Sequence, residues 1–100
     1  MAMDLEWQDE SGHPLARYDG LPLEIAFCEL AAKDSVCVRF IDPYGDTTFN
    51  QAQVEFLIDE LRAIRQQYTD HDLTELLDAV LAFVAQARGN IHTYIKFIGD

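Results

Sequence analysis

The stretch Phe40-Ile41-Asp42-Pro43-Tyr44-Gly45-Asp46-Thr47-Thr48-Phe49-Asn50 divides the chain into two kinds of sequence. Ahead of it the apolar residues alternate, as in half-buried strands. Behind it they recur at helical spacing. The stretch itself carries turn chemistry: Asp at the first position, Pro at the second and Gly at the fourth describe a type I turn over Asp42–Gly45. Asn50 then marks a helix start. It is a good N-cap, Gln53 stands three residues on to answer it, and Phe49 is placed to staple onto Val54.

Outward from the turn toward the N-terminus, Leu23–Leu30 and Ser35–Ile41 read as an antiparallel strand pair joined by Ala31-Ala32-Lys33-Asp34. That pairing sets Phe27 opposite Val38, Ile25 opposite Phe40 and Cys28 opposite Cys37. Further back, Met3, Leu5 and Trp7 alternate with Asp4, Glu6 and Gln8, which is a strand with one buried face. A two-residue turn at Ser11-Gly12 sets Trp7 opposite Ala16, Leu5 opposite Tyr18 and Glu6 opposite Arg17, a consistent register on both faces.

Toward the C-terminus, Asn50–Tyr68 reads as a helix with Val54, Leu57, Ile58, Leu61, Ile64 and Tyr68 on its apolar face. A second helix, about Leu73–Arg88, has the wider stripe Leu76, Leu77, Val80, Leu81, Phe83 and Val84. Asp72 and Glu75 suit its first turn, and Gly89 its exit. Ile91–Ile98 closes the chain as a strand, with Ile91, Ile95 and Phe97 on one face. The expected fold is a single α+β domain over residues 1–100. It has two layers, a mostly antiparallel sheet with two helices on one face, in the order β-β-β-β-α-α-β.

The chain has 100 residues, 49% of them apolar, enough for a core without disulfides or metals. Eighteen acidic residues against seven basic ones give a formal charge of −11. Such a surface repels nucleic acid and anionic membranes, and suits either solubility alone or attraction to a basic protein. No run reaches the ~20 apolar residues of a membrane span, and the first residues do not read as a signal peptide. Two cysteines are too few for a disulfide scaffold, so a cytoplasmic protein with reduced thiols is expected.

No catalytic, metal or cofactor motif emerges. Cys28 and Cys37 lack the third and fourth ligands of a zinc site and read as small strand residues. Asp70-His71-Asp72 is explained by helix capping. Ser11 and Ser35 flank turns without a nucleophile motif, and no glycine-rich phosphate loop occurs. The expectation is therefore a non-enzymatic domain without a cofactor.

Two aromatic residues exceed what local structure requires. Tyr44 sits inside the turn, where it is either a partner anchor or folded back on its neighbours. Phe56 points away from the apolar stripe of its helix, so it is either a partner anchor or a contact with the second helix. The candidate partner-binding residues are Tyr44 and Phe56 with the flanking acids Asp42, Asp46, Glu55 and Asp59.

In size, acidity and organisation the chain resembles the small immunity proteins that bacteria carry beside toxins. That class-level resemblance implies binding and blocking of a partner enzyme, here a toxin with a basic surface. The phrases Ile41–Asp46 and Tyr94–Asp100 resemble phrases in small uncharacterised bacterial proteins, which implies no function. Two other readings stay open: a homodimeric structural or regulatory module, and a small ligand-binding domain or enzyme with a pocket between sheet and helices.

Overall fold

The computed structural model describes residues 2–22 and 27–99. A four-stranded antiparallel sheet forms one layer and two long helices form the other, an α+β architecture. In chain order the elements are β1 (Ala2–Asp9), β2 (Pro14–Pro22), the short helical turn α1 (Phe27–Leu30), β3 (Asp46–Asn50), α2 (Gln51–Gln67), α3 (His71–Ala85) and β4 (Thr93–Ile98). The sheet order is β2-β1-β4-β3, with every neighbouring pair antiparallel.

The β1–β2 hairpin has the register read from the sequence, with Leu5 opposite Tyr18, Glu6 opposite Arg17 and Trp7 opposite Ala16. Its loop is one residue longer than expected. The Asp9 amide donates to the His13 carbonyl at 3.0 Å, and the Asp9 carboxylate accepts from the Ser11 and His13 amides. Gly12 takes a φ of 84°, the left-handed conformation this loop requires. A register shift after Trp7 absorbs the extra residue, so the two faces of the hairpin are preserved.

β4 pairs with β1 on one side and β3 on the other, so Leu5, Phe97 and Thr47 share a row, as do Trp7, Ile95 and Phe49. Met3, Leu5, Phe49, Ile95 and Phe97 are buried under the helices, and the Phe49 and Phe97 rings meet edge to face at 5.9 Å. α2 buries Val54, Leu57, Ile58, Leu61 and Ile64, the face that its periodicity marked. α3 buries Leu77, Val80, Phe83 and Val84, and Phe83 lies edge-on to Tyr18 at 6.3 Å. α2 begins directly out of β3. Asn50 ends the strand and caps the helix, its side chain accepting from the Gln53 amide while Gln53 Oε1 accepts from the Asn50 amide, both at 2.9 Å.

Other sequence expectations are corrected. Ser35–Ile41 is no strand. It bends through a 3-10 turn at Val38–Phe40, and Phe27–Leu30, the described end of its expected partner, is helical. Residues 23–26, with Ile25, lie outside the described residues, as do the side chains of Phe27 and Cys28. The alternation of Val36, Val38 and Phe40 misled. The apolar residues that bury are Cys37, Val38 and Ile41, at the spacing of a helical turn, while Val36 and Phe40 are exposed. The strand beside β4 is Asp46–Asn50, in which Thr47 and Phe49 point inward.

α3 also starts earlier than Asp72. Asp70 is its N-cap, accepting from the Leu73 amide at 3.0 Å. Ile91 lies outside the last strand and is exposed, because the chain turns through Asn90–His92, with His92 at a φ of 63°. No helix among the described residues is long and apolar enough to cross a membrane.

Candidate functional site

Arg17 and Lys96 gather acids around themselves on the sheet face that the helices leave open. Arg17 bonds Asp4, Glu6 and Asp19, and Lys96 lies 3.4 Å from Asp46. Arg65 joins Asp78 across the α2–α3 seam at 2.9 Å, and Arg88 joins Glu55 at 3.0 Å. Most of the basic side chains are therefore neutralised by local acids. Arg39 sits on the 3-10 turn. It donates to the Lys33 carbonyl and lies over the Phe40 ring at 4.6 Å.

The six candidate residues separate into four places. Asp42 and Tyr44 form the turn: the Tyr44 amide donates to Asp42 Oδ1 at 2.9 Å, and the Gly45 amide faces the Asp42 carbonyl at 3.4 Å. Tyr44 does not fold back, for it is 73% exposed. Asp46 is engaged with Lys96 on the open sheet face. Glu55 is engaged with Arg88 on the α3 side of α2. Phe56, 57% exposed, lines a groove on the other flank of α2 together with Asp59.

That groove encloses about 390 Å³ between α2 and the segment Ala31–Val38. Phe56, Ala63 and Ile64 contribute from the helix, and Val36 and Val38 from the segment. Asp34 and Asp59 stand at it, both exposed, and among the described residues neither has an ion-pair partner. Val36, on the wall opposite α2, is 54% exposed.

A carboxylate holds the two walls together. Glu60 on α2 accepts from the Val36 and Val38 amides at 2.9 Å each, from the Cys37 amide at 3.3 Å, and from the Ser35 hydroxyl. Desolvation pushes this carboxyl toward a higher pKa, but the hydrogen bonds from Ser35, Val38, Val36 and Cys37 outweigh it, and the net shift is downward. The donors of the segment are thus satisfied by a side chain rather than by a strand partner. Sequence reasoning placed Val36 in a sheet and so missed this wall. Its only local sign is the helical spacing of Cys37, Val38 and Ile41.

Cys37 is buried, a free thiol whose Sγ lies 3.6 Å from the Gln53 carbonyl oxygen. Burial, with Glu60 nearby, pushes its pKa up to about 11, so it is a poor nucleophile and a poor metal ligand at neutral pH. Among the described residues one group of potential ligands, His71, Asp72 and Glu75, comes together at the exposed start of α3. There the acids also favour the helix start, and His71 and Glu75 stand one turn apart.

Compared with known protein families, with curated proteins and with solved structures, the chain shows no match.

Proposed function

We propose that the protein is a non-enzymatic protein-binding domain whose partner presents a basic surface. The most concrete form of this reading is an immunity or inhibitor protein that neutralises a basic toxin. One observation carries it. Val36 and Phe56, each more than half exposed, face a common groove flanked by the acids Asp34 and Asp59, which have no ion-pair partner among the described residues, in a chain of net charge −11. Exposed apolar residues among acids are what a partner with an apolar anchor and a basic rim would cover. The acidic surface would speed the encounter and make it sensitive to salt.

The test is affinity capture from the native host at low and at high ionic strength, with the product of the neighbouring gene present. A basic protein retained at low salt, released as salt rises and lost with Phe56→Ser supports the reading. Recovery of no stable protein partner at low salt sinks it.

A further inference from the structure

We propose that the groove between α2 and Ala31–Val38 is the partner-binding site, and that its occupant is one large apolar side chain displayed on a lysine- or arginine-rich segment of a protein. This rests on the protein-binding reading above and adds where the partner sits and what chemistry it brings.

The interior selects for an apolar occupant. Phe56, Ala63 and Ile64 on one side and Val36 and Val38 on the other give it hydrophobic walls. At about 390 Å³ it is at the small end of ordinary binding pockets, which run to about 300–1,000 Å³. One bulky side chain suits it better than an extended ligand.

The groove is also preformed. Three backbone amides and one hydroxyl of the Ser35–Val38 wall converge on a single carboxylate of the opposite wall, Glu60. The spacing between the walls is thereby held before any partner arrives, which lowers the ordering cost of binding. The Cys37 side chain turns inward behind that wall and is buried, while Val36 is left outward.

The charge at the rim selects the flanks of the occupant. Asp34 and Asp59 come from opposite walls, and neither has an ion-pair partner among the described residues. No lysine or arginine is among the described residues that line the groove. Arg39, on the adjoining turn, is occupied by the Lys33 carbonyl and the Phe40 ring. A segment with positive charge on either side of its apolar residue complements this rim, whereas a second copy of the chain would bring another acidic surface to it.

The experiment titrates the full ¹⁵N-labelled chain with four short capped peptides. The first has a central phenylalanine between pairs of lysines. The others replace the phenylalanine with serine, the lysines with glutamate, or the lysines with serine. The expected result is amide shifts confined to Val36, Phe56, Ala63 and their neighbours with the first peptide, and binding weaker by about tenfold or more with each of the others. Ala63→Arg, at an exposed helix position, and Phe56→Ser should each weaken the first peptide by about tenfold while leaving the urea unfolding midpoint unchanged. Equal binding of the serine-flanked peptide, which would mark a site for neutral apolar ligands, overturns the proposal. So does binding of the lysine peptide elsewhere on the surface, or no binding at millimolar peptide.

The host partner separates this failure from that of the broader reading. A captured partner that Ala63→Arg and Phe56→Ser both retain refutes the groove and leaves protein binding standing. No captured partner refutes both.

Discussion

The Gly99 amide donates to the Gly45 carbonyl at 2.8 Å, which ties the end of β4 to the turn that displays Tyr44. The approach is close enough to exclude any side chain at position 99. A Cβ there would lie 2.5 Å from both the amide nitrogen and the carbonyl oxygen of Gly45, and 2.7 Å from the Pro43 oxygen. These are backbone atoms of a proline-containing turn, so no side-chain rotation relieves the clash and the turn itself has to shift. Gly99→Ala should therefore destabilise the protein by about 1–3 kcal/mol in urea unfolding. It should also shift the Tyr44 and Gly45 resonances, since the turn must move. A stability and spectrum identical to the parent would show that the chain end moves away instead.

Phe49 and Phe56 lie seven positions apart and should respond oppositely to truncation. Phe49 is 3% exposed and edge-on to Phe97 in the centre of the core. Phe49→Ala should cost about 3–5 kcal/mol. Phe56 is 57% exposed, so Phe56→Ala should leave stability within about 0.5 kcal/mol of the parent. Paired urea titrations test both. A large loss at Phe56 would mean that it serves the fold rather than a partner.

The legible parts of this fold are those in which local pattern and tertiary role coincide. The Asn50–Gln53 capping box, the buried stripe of α2, the β1–β2 register and the Asp42–Gly45 turn each depend on residues close in sequence or on strict periodicity. The misread parts depend on distant partners. Val36, Val38 and Phe40 alternate as a strand does, but Glu60, more than twenty residues downstream, takes the amides that a strand neighbour would have used. β3 is short and merges into α2, so Thr47 and Phe49 read in the sequence as part of the helix start. The candidate site shares this split. Tyr44 and Phe56 stand out because neither turn nor helix explains them, whereas Val36 and Asp34 enter the groove only through the fold.

Cys37 should resist alkylation in the native protein. Its side chain is buried, and a pKa near 11 leaves about one thiol in a thousand ionised at pH 8. Iodoacetamide labelling followed by peptide mapping should find Cys37 unmodified in buffer and fully modified in denaturing urea. Rapid labelling of Cys37 in buffer would mean that the Ser35–Val38 wall opens readily, contrary to the four hydrogen bonds that hold it to Glu60.

Those four hydrogen bonds should also appear as a pH dependence of stability. The ordinary value for the Glu60 carboxyl is 4.5, and in the folded protein it lies lower. Between the two values the unfolded chain binds the proton more readily than the native one, so stability rises with pH in that interval. The contribution is complete above about pH 4.5 and is lost as pH falls through the lowered native value. Glu60→Gln replaces one accepting oxygen with an amide donor that faces the donors of Ser35–Val38. It should cost about 2 kcal/mol near neutrality. The gap between parent and variant should narrow as the pH is lowered below 4.5, because the parent loses by protonation what the variant lacks throughout. Urea unfolding of both proteins between pH 6 and pH 3 measures this directly. A gap that stayed constant across the range would mean that the charge of Glu60 does not hold the wall, and that the groove owes its shape to the burial of Val38 and Ile41 alone.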